Sequence, residues 1–243
     1  MTIRIDAVSD VGCVRLNNED MALVYGEQLR DDKMAMAFEL PENGRMTAIV
    51  SDGMGGYDRG EVASEMATGL FDAFLDALPE GLQVDEVVME LKRWCRETNG
   101  KIMDAADGTG MGCTFTGLFT YGEQAFIVNI GDSRTYRLRH DFLKQMTTDH
   151  SERERRQDDS IPSNLIYNAL GAKDTFIDVI PTRMVEGDKF LVCSDGLSDM
   201  IDNDTIERMM MDGCNVQALV DAAKEAGGLD NVTVVMVEVI QNS

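Results

Sequence analysis

Five short acidic segments carry the residue types that could do chemistry: NNED at 17–20, SDGMGG at 51–56, GDSR at 131–134, SDGL at 194–197 and LDN at 229–231. Each sets a carboxylate beside glycine, serine or asparagine, next to a predicted strand end. Carboxylates brought together from such turns repel one another, and a positive charge must then stand among them. A hard divalent cation, which prefers oxygen ligands, meets that need. Taken singly, each turn also has an ordinary account. Asp52 can cap the helix that follows it, Gly-Asp-Ser at 131–133 suits a hairpin corner, and Asp230-Asn231 suits a capped turn. Arg15 stands four residues before Glu19. There it can fork onto a carboxylate or a phosphate, or form a surface pair worth under ~1 kcal/mol.

Such turns need rigid elements to aim them. MTAIVS at 46–51 reads as a buried strand running into Asp52-Gly53. Val62, Met66, Leu70, Phe74 and Leu78 then recur at helical spacing, with Ala63, Ala67 and Phe71 beside them, until Pro79 and Gly81 end the run. A second helix is predicted over 84–106, with Val84, Val87, Val88, Leu91, Trp94, Cys95, Thr98 and Ile102 on one face, packed antiparallel to the first. After a glycine-rich break at 107–112, residues 113–147 read as four short strands rich in Thr, Phe, Ile, Val and Tyr. The charged stretch 149–163 reads as a surface loop, 164–170 as a short helix, and 177–181 and 189–193 as strands. Residues 201–211 and 216–226 read as helices, and VTVVMVEVI at 232–240 as a closing strand. Strands at both ends with helices in blocks between them favour a layered α+β fold over an alternating βαβ sheet. No Pro-, Ser- or Gly-rich linker divides residues 1–243, so one domain is expected.

Apolar residues make up 44% of the 243, enough for a large core and too many for a disordered chain. The formal net charge of −22 excludes nonspecific nucleic-acid binding, which needs Lys and Arg against phosphate. No apolar run approaches the ~20 residues of a membrane span, and MTIRIDAVSD has no apolar signal region, so a cytoplasmic location off the membrane is expected. Five cysteines, at 13, 95, 113, 193 and 214, are odd in number and contain no CxxC. They argue against a disulfide framework or a zinc site and read mostly as small buried hydrophobes.

Seven segments, in sequence order, resemble one family: DVGCVRLNNED (10–20), SDGMGGYDRGEVAS (51–64), GCTFTG (112–117), NIGDSRTYRL (129–138), TTDHS (147–151), LVCSDGLSD (191–199) and GGLDNVTVV (227–235). The family is the metal-dependent protein phosphatases of type 2C, in their short bacterial form, and the likeness runs over nearly the whole chain. It implies a four-layer α-β-β-α sandwich of two antiparallel sheets flanked by helices. It implies two Mn²⁺ or Mg²⁺ ions, with Asp52 bridging both, Asp195 and Asp230 completing one, and Glu19 and the Gly53 carbonyl completing the other. Asp20 would hold a water on the metal from behind, and Asp132, with Asp195, would hold an optional third ion. Arg15 would bind the phosphate. A water activated by the ions would attack phosphorus directly, with no phosphoenzyme intermediate. The implied substrates are proteins phosphorylated on serine or threonine by a separate kinase, and the implied state is a monomer. A phosphatase of small phosphoesters on the same fold is a second reading. A silent scaffold is a third, against which the retention of Glu19, Asp52, Asp195 and Asp230 speaks.

The sequence also departs from the family. Met54 stands where the animal enzymes carry a histidine after the first Asp-Gly, and Tyr57 where many bacterial members carry one. A histidine acid for the leaving group is therefore not expected at this turn. His150, in TTDHS, reads as structural, and Cys193, beside Asp195, as a buried strand residue rather than a nucleophile. The stretch 149–163, which corresponds to the family's flap, is shorter than in many relatives, so substrate preference is the property least safely carried over.

Overall fold

A computed structural model describes residues 1–41, 44–55, 59–108 and 110–240. Two six-stranded antiparallel sheets pack face to face. The first runs β11 (Phe142–Gln145), β10 (Arg134–Arg139), β13 (Lys189–Cys193), β14 (Val232–Ile240), β1 (Thr2–Asp10) and β4 (Lys33–Glu39). The second runs β12 (Asp178–Thr182), β9 (Gln124–Ile130), β8 (Phe115–Tyr121), β5 (Thr47–Ser51), β2 (Met21–Val24) and β3 (Glu27–Leu29). A small ribbon pairs β6 (Gly53–Gly55) with β7 (Met111–Cys113).

Helices cover the outer face of each sheet. Their presence explains why antiparallel strands here read as continuous apolar runs instead of alternating with polar residues. In β9, Phe126, Val128 and Ile130 pack toward α1 (Gly60–Ala77) and α2 (Val84–Ala106), while Ala125 and Ile127 pack toward the other sheet. In β14, Val235, Val237 and Val239 enter the layer between the sheets, and Val234 and Met236 meet α5 (Asn203–Met211) and α6 (Val216–Glu225). Three apolar layers thus alternate with two sheets, the α-β-β-α order expected. Phe71 of α1 lies at the centre of the outer layer on the second sheet, its ring 5.0 Å from Trp94, 5.0 Å from Phe115 and 5.5 Å from Phe119, edge-on to all three.

Local chemistry sets the helix ends. Gln83 and Glu86 form a reciprocal capping box at α2, Asp202 caps α5 through the Thr205 N–H, and Asn215 caps α6 through the Ala218 N–H. Asp202 as a cap starts α5 at Asn203 rather than at the predicted Ile201. The innermost face of α1 is Ala63, Ser64, Ala67, Thr68, Phe71 and Leu75, with Val62, Met66 and Phe74 on its flank. Small residues let this helix lie close on the sheet, and the longer side chains reach sideways. The predicted loop 149–163 contains one short helix, α3 (Glu152–Arg156), capped by Ser151. The helix predicted over 164–170 does not form. Its backbone groups pair elsewhere: Tyr167 N–H with His150 O at 2.8 Å and Leu170 N–H with Cys113 O at 2.9 Å, which draws the stretch out as extended chain. Tyr57 lies outside the described residues.

Phe71→Ala is expected to cost about 3–5 kcal/mol by urea unfolding, the loss typical of a buried aromatic. Met89→Ala, on the exposed side of α2, should stay within about 0.5 kcal/mol of wild type.

Candidate active site

All five acidic turns fall at one end of the sandwich, because each follows or precedes a strand whose pairing fixes that end. Met21 of β2 pairs with Ser51 of β5, which sets Glu19-Asp20 beside Asp52. Phe115 pairs with Ile130, and Arg134 with Cys193, which sets the Asp132 turn beside Asp195. Asp10 pairs with Val232, which brings the Arg15 loop to Asp230. The result is a cleft of about 330 Å³ lined by Arg15, Glu19, Asp52, Gly53, Met54, Asp132, Asp195 and Asp230, with Asn164 and Ile166 on the wall contributed by the 149–170 stretch. Every residue read as a site residue from the sequence lines this cleft except Asp20, which is wholly buried beneath it.

Close backbone approaches hold the turns. Gly53 N–H donates to Glu19 O at 3.1 Å. A Cβ on Gly53 would come within 2.3 Å of Gly60 O, and one on Gly60 within 2.9 Å of Glu19 Oε2. A Cβ on Gly196 would come within 1.9 Å of Asn231 O, so the Asp195 and Asp230 turns can only meet through a glycine. Asn231 is the clamp between loops. Its Oδ1 accepts from Glu19 N–H at 2.9 Å, and its Nδ2 donates to Val11 O at 3.0 Å and Asn17 O at 2.9 Å. Thr114 Oγ1 accepts from Asp52 N–H at 2.9 Å and lies 2.7 Å from Ser133 Oγ, joining the Asp52 and Asp132 turns. Ser194 Oγ donates to Asp20 Oδ2 at 2.8 Å and accepts from Thr233 N–H at 3.0 Å. Thr114, Ser133 and Ser194 fall inside the motifs quoted above, but a hydroxyl in a β-rich segment carries no sequence signal of a bracing role.

The electrostatics fit a cation. Burial raises the Asp132 carboxyl to about 8, with Asp195 and Asp149 adding to the rise. Burial likewise raises Asp20 to about 7, against the hydrogen bonds from Ser194 and Thr233, and Asp195 to about 6. Asp52 keeps a strip of surface open to the cleft, yet dense surroundings desolvate it and hold it well above the usual range, with Asp20, Asp195, Asp132 and Asp230 repelling its charge. Glu19 is raised by burial and by Glu61, with Arg15 opposing. Asp20 Oδ1 and Asp195 Oδ1 are buried without a hydrogen-bond partner, which is costly for carboxylate oxygens. The one guanidinium in the cleft is committed: Arg15 Nη2 donates to Asp230 Oδ2 at 2.6 Å. Among the described residues, no three His, Cys, Asp or Glu side chains close around a single point. The donor set is all oxygen, the set a hard divalent ion prefers.

Histidine and thiol chemistry stay out of the cleft. His150 is buried behind the Asp132 turn, where its Nδ1 accepts from Gly131 N–H at 3.1 Å and from Asn168 Nδ2 at 2.8 Å while Nε2 faces Asp178 at 3.0 Å. It shapes the turn, as its sequence context suggested. His140 sits in the β10–β11 hairpin turn. Burial lifts the Cys193 thiol to about 12, which removes it as a nucleophile at neutral pH.

The family model described as protein phosphatase 2C matches residues 24–226. The chain belongs to the protein phosphatase 2C family. It is 31% identical over 253 aligned residues to the serine/threonine phosphatase stp of Listeria innocua, a match covering 95% of this chain and 93% of that one. The S. agalactiae serine/threonine phosphatase superposes with a TM-score of 0.80 at 27% identity, covering 98% of this chain and 99% of that one. The catalytic domain of the serine threonine protein phosphatase PstP, solved in complex with two manganese ions, superposes with a TM-score of 0.78 at 30% identity, covering 99% of this chain and all of that domain. Beside the first Asp-Gly, Met54 lines the cleft and supplies no titratable group.

Carboxyls raised in the folded state bind protons more tightly there than in the unfolded chain. Their stabilising effect is complete below the ordinary carboxylate value of 3.8 and is lost as pH rises through about 6, 7 and 8 for Asp195, Asp20 and Asp132. In protein stripped of divalent ions, the melting temperature is therefore expected to fall between about pH 5 and about pH 8, and Asp132→Asn to flatten that fall. Added Mn²⁺ should raise the melting temperature more at the upper pH than at the lower. A melting temperature that climbs over this window and ignores Mn²⁺ would count against a shared cation site.

Proposed function

We infer that this chain removes phosphate from phosphoserine and phosphothreonine in proteins, using divalent cations held by Glu19, Asp52, the Gly53 carbonyl, Asp195 and Asp230. Activity as a protein serine/threonine phosphatase, and its dependence on a divalent metal, follow from family membership and from relatives named for that activity. The residue assignment rests on one observation: five carboxylates and an arginine, from separate turns, line one cleft with buried carboxylate oxygens left without partners.

In this reading Asp52, Asp195, Asp230, Glu19 and the Gly53 carbonyl would together hold two ions, Mn²⁺ or Mg²⁺. Asp132, with Asp195, serves a third. Cations held there would offset the mutual repulsion of the carboxylates and lower the pKa of a water so that, as hydroxide, it could attack phosphorus. Asp20, held by Ser194, orients that water from below. Arg15, now paired with Asp230, would fork onto two phosphate oxygens and balance the charge that builds there. The described residues place no imidazole or thiolate in the cleft, so the proton for the departing serine or threonine oxygen comes from water.

Substrates are supplied by a separate serine/threonine kinase, and the chain acts as a monomer with residues 1–243 forming one catalytic domain. The sharing of both sheets among all three apolar layers supports that unity. None of the helices described is long and apolar enough to cross a membrane, which is compatible with work in the cytoplasm.

With Mn²⁺ the protein is expected to hydrolyse a phosphothreonine peptide and p-nitrophenyl phosphate, and to stop in EDTA. Asp195→Asn and Arg15→Ala should each lower kcat by about a hundredfold or more, the loss seen when one charge-stabilising group is removed. Activity that survives EDTA or Asp195→Asn would overturn the assignment. Without a histidine acid, rates across a series of aryl and alkyl phosphates should fall steeply as the leaving-group pKa rises. A flat series would reveal an acid that the described residues do not show.

A further inference from the structure

His150 is 2% exposed and takes no part in the reaction, yet it meets three separate stretches of chain. Its Nδ1 accepts from the N–H of Gly131, one residue before Asp132, at 3.1 Å. The same nitrogen accepts from the Nδ2 of Asn168, two residues after the cleft-lining Ile166, at 2.8 Å. A backbone N–H can only donate, so Nδ1 carries no proton and the ring holds its hydrogen on Nε2. Nε2 then donates to Asp178 Oδ2 at 3.0 Å. The backbone joins the same neighbours: His150 N–H donates to Gly131 O at 2.9 Å, and His150 O accepts from Tyr167 N–H at 2.8 Å. The Tyr167 and Phe176 rings stand against the imidazole, with centroids 5.8 and 4.8 Å away, and fix its orientation. Gly131 is also confined from below. It adopts φ +102°, and a Cβ there would come within 2.7 Å of Thr114 Cγ2. Thr114 Oγ1 in turn accepts from Asp52 N–H.

We propose that His150 is a positioning residue that couples the Asp132 turn to the cleft wall at 164–168 through the single lone pair on Nδ1. The proposal rests on the phosphatase reading above. Two donors from separate stretches converge on one acceptor. Loss of that acceptor leaves both buried donors unpaired, which is costly, and each must move to recover a partner. Movement of Gly131 displaces Asp132, the carboxylate of the third-cation site. Movement of Asn168 loosens the wall, because its amide also holds both backbone groups of Phe176, donating to O at 2.9 Å and accepting from N–H at 3.2 Å. The wall residues Asn164 and Ile166 face the cleft directly. Cation affinity at Asp132 and substrate affinity at the wall therefore depend on one imidazole nitrogen.

The chain has two histidines, so nitrogen-15 spectra of the metal-free protein at neutral pH report the His150 ring once His140→Asn has assigned the other. Wild type is expected to show the Nε2–H tautomer. A proton on Nδ1 would overturn the proposal without any variant at His150. His150→Leu and His150→Asn then separate positioning from space-filling. Leucine fills the buried space better, whereas asparagine Oδ1, bonded to Cγ as Nδ1 is, keeps an acceptor for Gly131 and Asn168. Calorimetric titration of the metal-free proteins with Mn²⁺ reads the binding step that Asp132→Asn removes. His150→Leu should weaken that step about tenfold, a usual loss when a group behind a metal ligand is removed. It should also raise KM for a phosphothreonine peptide by a larger factor than it lowers kcat. His150→Asn should recover most of both losses. Wild-type Mn²⁺ binding and KM in His150→Leu, a His150→Asn variant no better than His150→Leu, or a change in one property without the other would overturn the coupling while leaving the phosphatase standing. Asp132→Asn that removes no Mn²⁺ step would do the same. A wild type that fails to hydrolyse the peptide with Mn²⁺ would overturn the protein-phosphatase reading, and the coupling to substrate with it.

Discussion

Carboxylates crowded into one cleft repel one another, and the fold resists that repulsion with backbone rather than with countercharge. Asp52, Asp132, Asp195 and Asp230 each sit at the end of a strand whose register is set several residues away, deep in the sandwich. The strands cannot relax apart without breaking the apolar layers on both faces. Neutral groups brace the turns: the Asn231 amide, the hydroxyls of Thr114, Ser133 and Ser194, and glycines where two backbones meet. Bracing with neutral groups leaves the carboxylates uncompensated. A lysine or arginine in these positions would hold the turns equally well and would neutralise the charge that a cation needs.

Among the described residues lining the cleft, the one countercharge is Arg15, and its present partner is Asp230. That pair is half-exposed and so contributes little to stability. A weak pair suits a group that must change partners. Among the described residues, neither a thiol nor an imidazole competes for the chemistry. The Cys193 thiol is lifted to about 12 by burial, and His150 is consumed in shaping the Asp132 turn. Among the described residues, the cleft thus offers carboxylate oxygens and one guanidinium.

Much of this was legible in the sequence because it depended on local pattern. Strand, Asp, Gly, helix at 46–60 and again at 189–198 is a sharp signal, and the seven ordered motifs locate the cleft residues without any coordinates. The long helix at 84–106 was readable from its apolar stripe and matches α2 to the residue. What was not legible depended on distant partners. The stretch 164–170 has the composition of a helix, but His150 and Cys113 take its backbone groups and extend it. The inner face of α1 begins with small residues, Ala63, Ser64, Ala67 and Thr68, where the helix lies close on the sheet, a distance that spacing alone does not encode. Exposure is equally hidden. Val14 and Leu16, on either side of Arg15, are both exposed, which their apolar character alone does not indicate.

The most direct measurement is the position of bound manganese, taken from anomalous diffraction at the manganese edge on crystals of the Mn²⁺-loaded protein. Two peaks are expected that share the Asp52 carboxylate, one reaching Asp195 and Asp230 and the other Glu19 and the Gly53 carbonyl, with the Arg15 guanidinium turned away from Asp230. Manganese bound elsewhere, or no peak at Asp52 with the Arg15–Asp230 pair intact, would contradict the account.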